Sequence, residues 1–501
     1  MGTNRFSVNL FSNVAYFACS ILAGLWFTPY LIRHLGVAGY GLIPLATAAS
    51  AYLSILNFTL NTVTGRSMTV ALERKDDAAS NRVFNTVLFS TLFCTLLLVI
   101  PAAWLSYHAH WLFRVPPGLE QDFRLLLGCT AAAFLLMTAA SPFEITSFSK
   151  NRFDLRNAVL ISALVTRLGW VILAFSFFRP RLWHVGAGIL MSALVTLLAA
   201  VWIWRHLTPQ LHIAPKAVAA PEIRQLSQTG GWVLLDQIGM LLILQIDLIV
   251  VNRLLGPVSG GLYASVLQWS LLLRNFAMVV AGIFGPTLFA YYARGDFEGL
   301  VDYARGAVKF MGLVIALPVS LICGFSRPLL QVWLGPDFVS LAPLLTLMTA
   351  HLCFNLSYMP LLKISLAVNR VRVPGLVQAA LGAVNLGLAW LLAGPLGWGM
   401  AGVAAAGAVV LTVKNMVFTP LYAAHVLEMP RSTFYKEFFP LVALTGGLSI
   451  LAWGLASAVD LASWGRLITA GLALAGIYVF VVWCNRVQWL SRVLGERGLA
   501  L

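Results

Sequence analysis

Residues 33–42 read RHLGVAGYGL, and residues 253–262 read RLLGPVSGGL. The likeness, at an offset near 220 positions, continues beyond these two stretches. The acidic turn at Asp76 is matched by one at Asp296, and Trp111-Leu112 by Trp333-Leu334. SPFEITSFSKNR (141–152) is matched by MPLLKISLAVNR (359–370), with Pro142 against Pro360 and Asn151-Arg152 against Asn369-Arg370. These matches keep their order over nearly 200 residues, so the chain carries an internal repeat.

The repeat is written in strongly apolar sequence. Of 501 residues, 60% are hydrophobic and only 10% charged, with a mean hydropathy of +0.86. A soluble domain carries about 25% charged residues. Apolar runs of ~20 residues span a bilayer as helices, and a helix pairs its own backbone groups where no water is available. The short alternating strands of a membrane β-barrel are not seen. The spans predicted are 6–35, 38–66, 82–108, 121–146, 157–178, 184–205, 229–254, 260–291, 304–326, 340–367, 372–393, 398–425, 435–457 and 463–485. The fold class is therefore an all-α polytopic membrane protein of about fourteen transmembrane helices. Two six-helix lobes related by the repeat are followed by a C-terminal pair. The expected domains are an N-terminal lobe at 1–215, a C-terminal lobe at 216–425, and a last pair with its tail at 426–501. Six is even, so the lobes share one topology and an axis along the membrane normal. The polar, Pro- and Ala-containing stretch 206–228 joins them.

With the N-terminus in the cytoplasm, the 33 basic residues sort by side. Twenty fall inside, among them Arg82, Lys150, Arg205, Arg294, Arg305, Arg431 and Arg486. Eight fall outside: Arg33, Arg114, Arg124, Arg179, Arg181, Arg253, Arg327 and Arg466. This bias predicts both termini in the cytoplasm. The net charge of +15 fits anchoring on an anionic leaflet rather than binding nucleic acid. MGTNRFSVNL runs into an apolar stretch without a small-residue cleavage site and reads as a retained first helix. The six cysteines lie inside apolar spans and read as small fillers.

Polar side chains within spans show which faces avoid lipid. Asn9, Asn13, Tyr16 and Ser20 share one face of the first span, and Ser50, Ser54, Asn57, Asn61 and Thr64 one face of the second. His351, Asn355 and Tyr358 share a face of the tenth. Such stripes arise from interhelical hydrogen bonding or from a shared polar cavity. Once those twenty and eight are assigned to a side, five basic residues are left within spans: Arg66, Arg167, Arg274, Lys363 and Lys414. The acids there are Glu144, Asp236 and Asp247. A central charge costs about 2.5–3.5 kcal/mol on insertion scales, so each must be paired, hydrated or functional. Asp247 could pair with Arg253 near the outer mouth. Arg66 and Lys363 could snorkel inward. Arg167 and Arg274 are too deep for that. The surplus of cations, with Asn57 and Asn61, suggests a cationic cavity for an anionic cargo, since arginine forks match phosphate oxygens. By the repeat, Arg274 is equivalent to Ser54 and Arg167 to Asn385, so the halves place their charges differently.

No glycine loop with Lys and Ser/Thr suggests an ATPase, no Cys/His cluster suggests a metal, and no cofactor is expected. No loop is long enough for a catalytic domain, so the chain does not read as an enzyme.

FTPYLIRHLGVAGYGLIPLATAASAYL (27–53) and LLILQIDLIVVNRLLGPVSGGLYA (241–264) resemble the starts of the two halves of the polysaccharide transporter family. That family, with its Wzx-type flippases, belongs to the multidrug/oligosaccharidyl-lipid/polysaccharide exporter superfamily. The resemblance covers the whole chain. It implies two lobes around a central cationic cavity that opens alternately to each side of the bacterial inner membrane. The implied cargo is an undecaprenyl-pyrophosphate-linked oligosaccharide, with a polysaccharide polymerase and a chain-length regulator as implied neighbours. Gln245-Ile246-Asp247 matches the family's pattern in the seventh span, which implies a role for Asp247, with Asn252 and Arg253 behind it. Asp247, Asp236 and Glu144 are the candidates for ion coupling, and Arg33 and Arg253 for pairing at the outer mouth. Two alternatives stay open. Lipid II flippases typically carry cavity arginines on the first helix, where this chain has none before Arg33. Multidrug-type antiporters usually have twelve helices and an acid in the first, whereas the first acid here is Glu73.

Overall fold

The computed structural model describes residues 2–54, 76–150, 152–215, 231, 234–368, 370–436 and 438–484. Among the described residues every regular element is helical, and twelve helices are long and apolar enough to cross a membrane. Leu234–Leu244 and Ile246–Leu255, bent by 42° where they meet, are together long and apolar enough for a thirteenth. The apolar stretch Phe11–Ala51 counts once, yet it has 41 residues, or ~60 Å of helix against a hydrocarbon core of ~30 Å. It breaks at Gly36, where φ is 72° and ψ 168°, and is therefore two helices. Each of the fourteen predicted spans thus holds a helix, although the second is described only to residue 54. The tenth is assembled from Ala342–Ala350, Leu352–Asn355 and Leu362–Ala367.

The repeat has a backbone signature. Gly256 has φ 89° and ψ 175°, close to the values at Gly36, its equivalent. A Cβ at either position would meet nothing within 4 Å. The positive φ itself, not lack of room, calls for glycine there. The acidic turns match as well. Asp76 caps helix Asp77–Tyr107 by accepting from the Ala79 amide at 2.9 Å. Asp296 caps helix Phe297–Gly324 by accepting from the Gly299 amide at 2.8 Å.

By packing, the chain divides into two compact units, residues 1–264 with 378–386, and residues 265–377 with 387–501. In the first, the rings of Phe84, Phe143 and Trp204 meet at 5.3–5.9 Å. They join the helices Asp77–Tyr107, Glu120–Ser149 and Leu182–Leu207. Glycines permit closer approaches. A Cβ on Gly41 would lie 2.6 Å from Gly261 Cα, and one on Gly382 would lie 2.9 Å from Gly239 O. In lipid, where burial of apolar surface gives helices no drive to associate, such small-residue contacts supply the packing. They hold the bent helix pair and residues 378–386 in this unit. The packing boundary after Ala264 therefore differs from the repeat boundary at 215/216. One follows contacts and the other sequence order.

In the second unit, helix Phe297–Gly324 is central, with Leu300, Ala304, Met311, Ile315 and Val319 buried. Helix Phe438–Ala458 seats Leu441 over Gly312 and Ala452 over Gly324, and Ser320 Oγ donates to Thr445 O at 3.0 Å. Helix Trp464–Cys484 is tied on by Tyr478, whose hydroxyl donates to Leu313 O at 2.6 Å.

Candidate functional site

Asp247 stands in the first turn of Ile246–Leu255, just past the helix break at Gln245. A carboxylate there is favoured by the positive end of the helix, yet this one is only 7% exposed. Its Oδ2 accepts from the Tyr263 hydroxyl at 3.1 Å, and its Oδ1 from Asn385 Nδ2 at 3.2 Å. The same amide nitrogen donates to Leu242 O at 3.1 Å. Asn385 Oδ1 is sealed from solvent without a hydrogen-bond partner. Tyr52 donates to Leu241 O at 3.4 Å and lies in the field of the carboxylate. The result is a carboxylate beside a bare amide oxygen and a helix break, an oxygen-rich setting suited to a proton or a small cation.

The expected pairing of Asp247 with Arg253 is not how these side chains sit. Six residues along a helix, they point about 120° apart. Asp247 is buried and Arg253 exposed, in the last turn where a cation suits the helix dipole. Arg33 is likewise exposed. Asn252 is structural. Its Oδ1 accepts from the Arg114 amide at 2.9 Å and its Nδ2 donates to Arg114 O at 3.0 Å.

Arg167, on helix Phe153–Phe177, holds its guanidinium carbon 5.8 Å from the centre of the Phe27 ring. Its Nε is sealed without an acceptor. The Tyr40 hydroxyl, 3.5 Å from Thr28 Oγ1, lies in its field. None of the ion pairs among the described residues includes Arg167. A cation–π contact contributes ~0.5–2 kcal/mol, which does not fully offset the ~2.5–3.5 kcal/mol of a central charge. The guanidinium is thus left short of an anion.

In the second unit, Arg274 is half-buried on helix Pro257–Gly282, and its charge reaches His351. His351 Nδ1 lies 2.8 Å from Asn355 Nδ2, which also donates to Thr412 Oγ1 at 3.1 Å. Asn355 Oδ1 is sealed and unbonded. Lys363 runs its aliphatic stem past Gly285. Lys414 sits in the π-helical turn Val413–Phe418, whose irregularity Thr419 satisfies by donating to Lys414 O at 2.9 Å. Glu144 and Asp236 are half-buried, Glu144 within reach of the Arg156 charge. Arg66, Asn57 and Asn61 lie outside the described residues.

Part of the polar striping is interhelical bonding. Asn157 Nδ2 donates to Ser12 Oγ at 3.0 Å and to Asn13 Oδ1 at 2.9 Å, and Asn9 Oδ1 accepts from the Asp154 amide at 3.2 Å. Ser50 donates to Thr130 and Tyr358 to Phe434 O. Sequence reasoning singled out Asp247 but missed Tyr263 and Tyr52, and it read Asn385 only as the repeat partner of Arg167. Its one usable signal was an Asn at mid-span.

Residues 9–291 match the family model described as "Polysaccharide biosynthesis protein". The chain is 33% identical over 493 residues to the "Uncharacterized membrane protein EpsK" of Bacillus subtilis strain 168, an alignment spanning 97% of this chain and 96% of that one. Among solved structures it resembles "Lipid II flippase MurJ, inward closed conformation", with a TM-score of 0.61 at 14% identity over 95% of this chain and 99% of that one. It also resembles an inward-facing multidrug resistance MATE family transporter, with a TM-score of 0.56 at 14% identity over 85% of this chain and 98% of that one. At such identities the structures establish the fold alone. The family match and the whole-length relative go further: the chain belongs to the polysaccharide biosynthesis protein family, and its apolar helices make it a multi-pass membrane protein.

Proposed function

We propose that the protein carries an undecaprenyl-pyrophosphate-linked oligosaccharide repeat unit across the bacterial inner membrane for surface polysaccharide synthesis, with both termini in the cytoplasm. The observation that carries this reading is Arg167, a guanidinium inside a span, held by the Phe27 ring and with its Nε lacking an acceptor. A pyrophosphate supplies the missing anion, and its oxygens match the guanidinium fork. Arg274, Lys363 and Lys414 of the second unit, with Arg66, Asn57 and Asn61 by sequence, are further cargo contacts. The path opens to the two sides in turn, and the lipid tail stays in the bilayer. Asp247 is the leading coupling residue, bonded as it is and beside a bare amide oxygen. Asp236 and Glu144 are the others. A polysaccharide polymerase and a chain-length regulator would take over the flipped unit.

The test is reconstitution in proteoliposomes with a lipid-linked oligosaccharide and an impermeant probe of its sidedness. The wild type is expected to equilibrate the lipid between leaflets. Arg167→Gln should slow flipping about tenfold or more, since hydrogen bonds to a charged group contribute ~1.5–3 kcal/mol. Wild-type flipping in both Arg167→Gln and Arg274→Gln would remove the cationic path. Transport of small cations without any lipid-linked sugar movement would favour the antiporter reading.

A further inference from the structure

Helix Leu182–Leu207 ends at Thr208, whose hydroxyl donates to Trp204 O at 2.9 Å. The chain then turns back on itself, with the Leu211 amide donating to Thr208 O at 3.0 Å. Two asparagines of helix Asp77–Tyr107 pin the returning strap. The His212 amide donates to Asn81 Oδ1 at 3.0 Å, Asn85 Nδ2 to His212 O at 2.8 Å, and the Ala214 amide to Asn85 Oδ1 at 2.7 Å. Asn85 is fully buried and spends its whole amide on local bonds, which include this strap. Leu211 is buried too, against the Phe84, Phe143 and Trp204 core.

Between helix end and strap lies a cavity of about 450 Å³, lined by Trp204, Arg205, Pro209, Leu211, His212 and Ile213. Its chemistry is one-sided. Arg205 and His212 are exposed donors, and among the described residues no carboxylate lines it. Trp204 is 5% exposed, and its indole N–H is sealed without an acceptor. A helix carboxyl end is the wrong pole for an anion, so Arg205 must outweigh it, and a full charge does outweigh the ~0.5 charge of a helix end. The remaining lining is apolar. Trp202, 56% exposed on the same helix turn, sets the depth: exposed tryptophans of membrane helices sit at headgroup level.

We propose that this cavity is a lipid site which takes the phosphate of a membrane-lipid headgroup on Arg205, His212 and the Trp204 N–H. Pro209, Leu211 and Ile213 receive its apolar shoulder. The inference requires only that the chain spans a bilayer, and not the cargo proposed above.

Hydrogen exchange of the full chain in nanodiscs tests it, with a matrix of diacylglycerol and phosphate-free glycolipid. To this matrix are added, in separate arms, phosphatidylglycerol, undecaprenyl phosphate, or inorganic phosphate in solution. The His212 and Ala214 amides are expected to gain protection with a phosphate-bearing lipid. Arg205→Gln should weaken that response about tenfold, as expected for a lost hydrogen bond to a charged group. Trp204→Phe keeps the ring and loses the N–H, and should weaken it less. Whichever of the two lipids acts at lower concentration identifies the source. Protection by inorganic phosphate alone, or an unchanged lipid response in both variants, overturns the proposal. Undiminished flipping with the lipid response lost would separate this site from the transport path.

Discussion

Asp247 and Arg167 are both charges inside spans, but their neighbours differ. Asp247 receives hydrogen bonds from two neutral donors, Tyr263 and Asn385. Each bond satisfies a polar atom that finds no water in the interior, and leaving its partner unpaired there is costly. Removing a donor should therefore be felt in stability and in transport alike. Asn385→Leu takes away bonds to both Asp247 and Leu242 O, and is expected to cost ~1–3 kcal/mol, visible as a lower melting temperature in detergent. Asp247→Asn removes the charge at nearly constant volume. It should abolish any dependence of flipping on an imposed ion gradient while the protein still accumulates. Gradient-dependent flipping that survives in Asp247→Asn would transfer the coupling role to Asp236 or Glu144.

Among elements, the glycines of the repeat act in two different ways. Gly36 and Gly256 break their helices through positive φ, with space around them. Gly41 and Gly261, also repeat equivalents, let two backbones touch. Gly36→Ala and Gly256→Ala should each cost ~1–2 kcal/mol, the strain of an L-residue in left-handed backbone. At Gly41 or Gly261 an added methyl meets backbone, which cannot swing aside as a side chain would. Those alanines should cost ~1–3 kcal/mol or more, as for overpacking in a dense core. Melting temperatures of the four variants should fall in that order, and equal losses at all four would refute the distinction. The asymmetry of the Asp76 and Asp296 caps is slight by comparison, since each turn closes with the same side-chain-to-amide bond.

At the scale of the whole molecule, the charge bias predicts which ends of the helices face the cytoplasm. Single cysteines replacing His110 and Glu298 in a cysteine-free background test it. An impermeant maleimide should label position 110 in intact cells and position 298 only after permeabilisation, and the opposite result would invert the topology. The membrane class, the helices and the repeat are legible in sequence because each rests on local causes. Apolar runs decide what partitions into lipid. An Asp three residues before a free amide caps a helix wherever it stands, and a glycine permits the break at 36 and at 256. What pairs with what was not legible in that way. Asn385 reaches Asp247 across 138 positions, and Asn85 reaches His212 across 127. A lone Asn in a span looks the same whether it glues helices, as Asn157 does to Asn13, or serves a buried carboxylate. The sequence alone determined that this chain lives in a membrane, where its apolar helices lie, and that its two halves are repeats of one another. Only tertiary packing decided that Asp247 is held by Tyr263 and Asn385 rather than by Arg253, and that Arg167 rests on an aromatic ring. Hydrophobic partition is a property of each segment, whereas a hydrogen bond needs two groups brought within about 3 Å, and only the packed fold sets that distance.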